Sequence, residues 1–212
     1  MQIRLGNHKV HLIYHDPIIY TVDDFLTDEE CQHFINVAKP NLKRSGVTGY
    51  DQENKRKDKY DFKHRDSSQH WIKPGSDDIV DAVHERVSNA VQMPKENSEK
   101  FQVMHYAVGQ TFRAHMDAFD NKSPSYKDYL KNGGQRILTA MVYLNDNVVG
   151  GETEFTKIRH YVKPKKGMLL VWHNCFKGTD KRTPMSMHSG RTVKAGEKWA
   201  FSLWYRQRPR KD

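Results

Sequence analysis

The chain has 212 residues, 36% hydrophobic and 11% aromatic, which suits one domain over residues 1–212 with a packed core and excludes a disordered chain. Lysine and arginine outnumber aspartate and glutamate by 35 to 26, but the basic residues are scattered apart from Lys55-Arg56-Lys57-Asp58-Lys59 and Arg206-Gln207-Arg208-Pro209-Arg210-Lys211, so nucleic acid is not the expected partner. Two cysteines, Cys31 and Cys175, are too few for a disulfide framework or a sulfur-ligated metal site. No apolar run reaches membrane-spanning length, and the N-terminus lacks a signal-peptide stretch, so a soluble cytoplasmic protein is expected.

Ile18 to Val22 reads as a strand. Thr27-Asp28-Glu29-Glu30 has the form of a capping box, and Cys31, Phe34, Ile35, Ala38 and Leu42 recur at helical spacing, which predicts a helix to about Asn41. Residues 43 to 75 show little periodicity and read as a long loop with one strand. A second helix is expected from Ser76-Asp77-Asp78, with Ile79, Val80, Val83, Val87, Ala90 and Val91 on one face and Pro94 beyond its end. From Phe101 the texture changes to short β-rich runs: Phe101 to Val108, Thr111 to Asp117, Arg136 to Leu144, His160 to Val162, Met168 to Trp172 and Lys198 to Tyr205. The expected class is α+β, mainly β: a helical N-terminal part over about 18–95 supporting a sandwich or jelly roll over about 101–206.

Chemistry enters at Arg113-Ala114-His115-Met116-Asp117. On a strand, residues two apart share a face, so His115 and Asp117 point together. A histidine from another strand would complete the two-histidine, one-carboxylate triad of non-heme Fe(II) sites. The spacing alone is weak: with 12 histidines and 26 acidic residues, about 1.5 such matches arise by chance. His64-Arg65-Asp66 is one of them, set aside because it lies in the irregular basic segment. The third ligand is sought at His188. The Gly196 region reads as a turn that would lay His188 and Lys198 on adjacent antiparallel strands. Lys198 shares a face with Ala200, Ser202 and Trp204, small neighbours at its end, leaving room for a small anion; an ordinary strand-edge lysine fits equally well. By periodicity alone, Tyr106 and Thr139 read as core residues as readily as ligand contacts.

The ordered set Tyr106, Gly109, Phe112, His115-Met116-Asp117, Tyr143-Leu144-Asn145, Gly150-Gly151-Glu152-Thr153, Lys165-Lys166-Gly167, His188 and Gly196-Glu197-Lys198-Trp199 resembles the catalytic domain of prolyl 4-hydroxylases, Fe(II)- and 2-oxoglutarate-dependent dioxygenases built on a double-stranded β-helix. The resemblance covers about residues 18 to 206. It implies that His115, Asp117 and His188 bind iron, that Lys198 pairs with the distal carboxylate of 2-oxoglutarate, and that Tyr106 and Thr139 hydrogen-bond the same carboxylate. It implies ascorbate as reductant, a proline-containing peptide or protein as substrate, and hydroxylation at C4 of proline.

Arg65-Asp66-Ser67-Ser68 resembles the family's Arg-Thr-Ser segment with aspartate in place of threonine, and Arg65, Ser67 and Trp204 are the candidate peptide contacts. Thr192 stands where the family has proline after His188-x-Gly-x. Two polar segments, Gly46 to Pro74 and Asp120 to Gly134, are expected to close over the peptide. The short chain suggests a stand-alone microbial or viral enzyme, with oligomeric state open. The competing readings are the same oxidation on a free amino acid, another protein residue or nucleic acid, or a catalytically silent binding module.

Overall fold

The computed structural model describes residues 3–45, 47–50, 56–59 and 65–211, the strands at 3–5, 47–50 and 56–59 by backbone alone. The chain opens with a hairpin absent from the sequence reading. β1 (Ile3–Leu5) and β2 (His8–His15) join through Gly6-Asn7, with Gly6 at φ +58°, and β3 (Ile18–Val22) extends the meander. A Gly-Asn pair between short runs is a two-residue turn signal, because glycine takes positive φ at little cost. The capping box forms: the Thr27 hydroxyl accepts from the Glu30 amide at 3.2 Å, and the Glu30 carboxylate accepts from the Thr27 amide at 2.9 Å. α1 (Asp28–Ala38) follows, and Pro40 lies in the 3-10 turn that ends it.

The segment read as one long loop is richer than expected. It contains β4 (Lys43–Arg44), β5 (Val47–Tyr50), β6 (Arg56–Lys59) and β7 (Ser68–Ile72). Ser68-Gln69-His70-Trp71-Ile72 has little intrinsic strand preference. It is extended because it pairs along its whole length with β8 (Phe101–Tyr106), an instance of sheet context overriding propensity. His64 lies outside the described residues. α2 (Asp78–Val91) starts where the Asp77 carboxylate accepts from the Val80 amide at 2.9 Å and stops short of Pro94, as expected.

The remaining elements are β9 (Phe112–His115), α3 (Tyr126–Lys131), β10 (Arg136–Tyr143), β11 (Val148–Gly150), β12 (Thr153–Phe155), β13 (His160–Val162), β14 (Leu169–His173), β15 (His188–Gly190), β16 (Val193–Gly196) and β17 (Lys198–Arg206). They build a main antiparallel sheet in the order β1-β2-β3-β14-β10-β17-β8-β7-β4, a smaller one in the order β13-β12-β15-β9, and the pair β11-β16. The two sheets form the expected jelly roll.

One cluster packs Phe34, Val80, Val83 and Val87 of the helices against Trp199, Phe201, Leu203 and Tyr205, so the helices cover the outer face of the main sheet. A second holds Tyr106, Met141, Tyr143, Trp172 and Ala200 together with Phe155 and Val162, between the main and smaller sheets. Central β17 is buried on both faces, so Lys198 enters the interior through the alternation of its strand.

One expectation is corrected. His188 and Lys198 are not on adjacent strands: β15 pairs with β12 and β9, β16 with β11, and β17 with β10 and β8. Gly196, at φ +72°, carries the chain from the small strand pair into the main sheet instead of closing a hairpin. The segment from Asp120 to Gly134 is fastened. Arg206 donates to the carbonyls of Tyr129 and Asn132 at 2.6 and 2.7 Å, Phe119 stacks on Tyr129 at 4.7 Å, and Arg182 pairs with Asp120 at 2.8 Å.

Candidate metal centre

The register of the smaller sheet sets His188 directly opposite His115, so the two imidazoles are cross-strand neighbours with centroids 4.3 Å apart. Each ring is oriented through Nδ1, which donates to the Arg113 carbonyl at 2.8 Å in His115 and to the Ser186 carbonyl at 2.9 Å in His188. With Nδ1 protonated, Nε2 carries the free lone pair, the usual arrangement of a metal-ligating histidine. β9 ends at His115, two residues earlier than expected, and Asp117 lies in the following bend. Its carboxylate turns back to the rings, Oδ1 lying 3.6 Å from Nε2 of His115 and Oδ2 3.8 Å from Nε2 of His188. The three ligand atoms lie within 4.8 Å of one another.

The electrostatics suit a cation. Burial opposes ionisation of Asp117, but the imidazoles of His188 and His115 outweigh it and hold the carboxyl well below the usual range. Burial and then the neighbouring His115 push His188 down to about 4, so its ring is neutral at physiological pH. Two neutral nitrogens and one carboxylate on one side of a point are the donor set of a non-heme iron site.

Lys198 lies opposite Tyr106 in the sheet and is 4% exposed. Its ammonium sits 5.5 Å from the Tyr106 ring and 5.3 Å from that of Tyr143. Burial pushes it down to about 8, with Glu152 acting in the other direction. No carboxylate among the described residues lies within ion-pair distance of it, so the interior holds a cation that lacks its anion. Tyr143 donates to the Thr153 hydroxyl at 2.7 Å, and Gly151 leaves space for the stem: a Cβ there would come within 3.3 Å of Cδ of Lys198.

Residues 101–206 match the profile of the 2OG-Fe(II) oxygenase superfamily. Prolyl 4-hydroxylase 5 of Arabidopsis thaliana is 33% identical over 94% of this chain and 72% of its own length. The chain belongs to the prolyl 4-hydroxylase family of 2OG-Fe(II) oxygenases. It is accordingly a dioxygenase whose cofactors are Fe(II) and 2-oxoglutarate, and the metal-ligand triad and the unpaired buried lysine fit those two groups. A putative prolyl 4-hydroxylase of Acanthamoeba polyphaga mimivirus is 30% identical over 92% of this chain and 76% of its own. Among solved structures, the viral collagen prolyl hydroxylase of Paramecium bursaria Chlorella virus-1 in complex with 2OG superposes with a TM-score of 0.68 at 29% identity, covering 89% of this chain and 95% of that one.

Thr139 departs from the role the family resemblance implied. It pairs with Trp204, six residues along β17 from Lys198, and at about 3.3 Å per residue that is about 20 Å from Lys198. Its hydroxyl donates to Oδ2 of Asp117 at 2.7 Å. It therefore serves the metal end, and Tyr143 and Thr153 stand beside Lys198 instead. Period-two alternation along β10 from Thr139 through Met141 points to Tyr143, and the Gly-Gly-Glu-Thr run contains Thr153; neither was singled out. Asn174, which donates to Thr139 at 2.9 Å, gave no signal, since a polar residue after a hydrophobic strand reads as a turn.

Arg65 and Ser67 lie at the site although their flanks are irregular. Arg65 is buried, donates through Nε to the Ser67 hydroxyl at 2.8 Å, and covers the Phe112 ring at 4.7 Å; Phe112 in turn stacks on His115 at 3.7 Å. Its Nη2 makes no hydrogen bond among the described residues. Trp204 is also buried, with Arg136 stacked at 4.0 Å, Trp71 at 6.0 Å, and an indole N–H without a partner among the described residues. Buried donors left open cost about 1–3 kcal/mol each, so Arg65 and Trp204 each carry an unsatisfied group.

Proposed function

We propose that the enzyme hydroxylates C4 of a prolyl residue in a peptide or protein, with His115, Asp117 and His188 holding Fe(II) and Lys198, Tyr106, Tyr143 and Thr153 receiving the distal carboxylate of 2-oxoglutarate. The observation that carries this is the pairing of a converged His-Asp-His set with a buried, carboxylate-free lysine. Fe(II) with 2-oxoglutarate and O2 supplies an oxidant for an unactivated C–H bond, releasing succinate and CO2, and ascorbate is the reductant we expect to sustain it. The protein's part is positional. His115, Asp117 and His188 would hold the ion from one side and leave the other open to cosubstrate and O2. Lys198 neutralises a carboxylate that would otherwise be costly to desolvate, and the Tyr106–Tyr143 walls exclude water from the pair. Arg65, fixed by Ser67, and Trp204 are the candidate contacts for a proline-containing chain.

Names of relatives support the substrate, since both the Arabidopsis and the viral proteins are called prolyl hydroxylases. Residues 1–212 act as one catalytic domain in this reading, and the enzyme works in the cytoplasm; among the described residues no helix is long and apolar enough to cross a membrane. Incubation with Fe(II), ascorbate, O2 and a proline-rich peptide should yield succinate and a +16 mass shift on proline. Succinate without an oxidised prolyl residue would overturn the substrate assignment. Full turnover by His188→Ala would overturn the metal assignment.

A further inference from the structure

His115 and His188 face each other on the paired strands β9 and β15, whereas Asp117 lies in the bend after β9 and outside any strand pairing. His188 and Asp117 are nevertheless tied to one residue. Asn174 follows the last residue of β14 and is fully buried. Its Nδ2 donates to the Thr139 hydroxyl at 2.9 Å, and Thr139 donates to Oδ2 of Asp117 at 2.7 Å. Its backbone carbonyl accepts from the Thr183 amide at 3.0 Å, and the Ser186 hydroxyl donates to the Thr183 carbonyl at 2.8 Å, which seats the 3-10 turn Pro184–Ser186. The carbonyl of Ser186 is the one that accepts from Nδ1 of His188.

We propose that Thr139 and Asn174 form a positioning relay that keeps Asp117 a one-oxygen metal ligand. This rests on the assignment of Asp117 and His188 as ligands. A threonine hydroxyl has one proton, and an ionised carboxylate can only accept, so the proton of Thr139 is committed to Asp117. The neighbour of Thr139 must then be a donor, which fixes the amide of Asn174 with Nδ2 toward it. The bond draws electron density from Oδ2 and leaves Oδ1 the stronger donor toward the ion. A carboxylate free of that bond could swing and chelate through both oxygens, filling a position that cosubstrate or O2 requires. Oδ1 of Asn174 makes no hydrogen bond among the described residues, so half of this amide costs stability. That is the pattern of a group retained to orient another.

Three variants test the relay. Thr139→Val keeps the shape and removes the proton; Thr139→Ser restores it; Asn174→Asp places a competing acceptor beside Thr139 and draws its proton away from Asp117. Calorimetry with Mn(II) and the visible spectrum of the Co(II) protein read the site without turnover. Partners of metal ligands commonly contribute 10–100-fold to affinity or activity. We expect Thr139→Val and Asn174→Asp to weaken Mn(II) binding within that range, alter the Co(II) bands and lower kcat, with KM for 2-oxoglutarate changed less than twofold because Lys198 lies at the other end of the sheet. Thr139→Ser should return all three toward wild type. Unchanged Mn(II) affinity and Co(II) bands in folded Thr139→Val, judged by its near-ultraviolet circular dichroism, would overturn the relay while leaving the ligands standing. Wild-type Mn(II) affinity in His188→Ala would instead overturn the ligand assignment beneath it.

Discussion

Replacing Lys198 by methionine should make the 2-oxoglutarate-free enzyme more stable while disabling it. Burial lowers the lysine from its ordinary 10.5 to about 8, a difference worth about 3 kcal/mol against the charged form at neutral pH. The side chain is fully enclosed, so little solvent screening reduces that cost. Methionine fills similar volume without charge, and relaxation of the tyrosine walls will absorb part of the gain. A net increase of about 1–3 kcal/mol corresponds to a rise in Tm of roughly 2–10 °C for a chain of this size. The sign with pH is specific. The folded pKa lies below the unfolded one, so between pH 8 and 10.5 the unfolded chain binds more protons and wild-type stability rises with pH. The variant lacks this contribution, and its advantage should shrink toward pH 10. With 2-oxoglutarate the order reverses, because a buried carboxylate without its cation costs about 3–5 kcal/mol, or more than a hundredfold in affinity. Thermal melts from pH 7 to 10 with and without 2-oxoglutarate, under Mn(II), measure both arms. A variant that melts below wild type at pH 7 and still tightens with 2-oxoglutarate would refute the reasoning.

The same lysine sets a pH limit on cosubstrate binding: the Kd for 2-oxoglutarate should be flat below about pH 8 and rise about tenfold per pH unit above it, as calorimetry across pH 6.5 to 9.5 would show. Gly151→Ala should raise KM for 2-oxoglutarate about tenfold and cost about 1–3 kcal/mol, because φ is +70° and the new Cβ would press on Cδ of Lys198; unchanged KM would dismiss the crowding. Glu99→Gln should destabilise the fold by about 3–5 kcal/mol in urea titrations, since Glu99 accepts from Arg136 at 2.6 Å and Arg206 at 3.2 Å and is ion-paired with Arg210 at 3.8 Å. Burial opposes its ionisation, the arginines outweigh that and lower its pKa, and the stability it contributes should be lost as pH falls below the ordinary carboxylate range.

The first two helices were legible because their signals are local, a capping box, an Asp N-cap, one apolar face and a proline beyond the end, whereas the short α3, with no side-chain cap, was read as part of a polar loop. The triad was legible for another reason. Chain order and spacing of His115, Asp117, His188 and Lys198 match a family pattern, and periodicity alone would not have separated them from chance. What escaped the sequence was relation between strands. β7 is extended only because β8 lies beside it, and the interval from His188 to Lys198 looked like a hairpin when it is a passage from one sheet pairing to another. Thr139 was assigned to the wrong end of the pocket because a sequence gives a residue's face but not its distance from a lysine on a strand that pairs with it only in the folded sheet. Asn174 matters through a hydrogen bond that closes only after β10 and β14 have paired.

The pairing of His115 with His188 across β9 and β15 makes the metal site a reader of register. β9 is an edge strand of the smaller sheet, joined to β15 on one side and by a single bridge at Arg65 on the other. A slip of one residue would turn the face that carries His115 outward and separate the two imidazoles. Such a chain could retain most of its sheet hydrogen bonds, but it would have no site for the ion. An ion that binds only the native register pulls the population toward it by mass action, by about 1.4 kcal/mol for each tenfold of its concentration above the Kd. The metal would then act on this protein twice, as a reagent in turnover and beforehand as a proofreader of how its weakest strand is laid down.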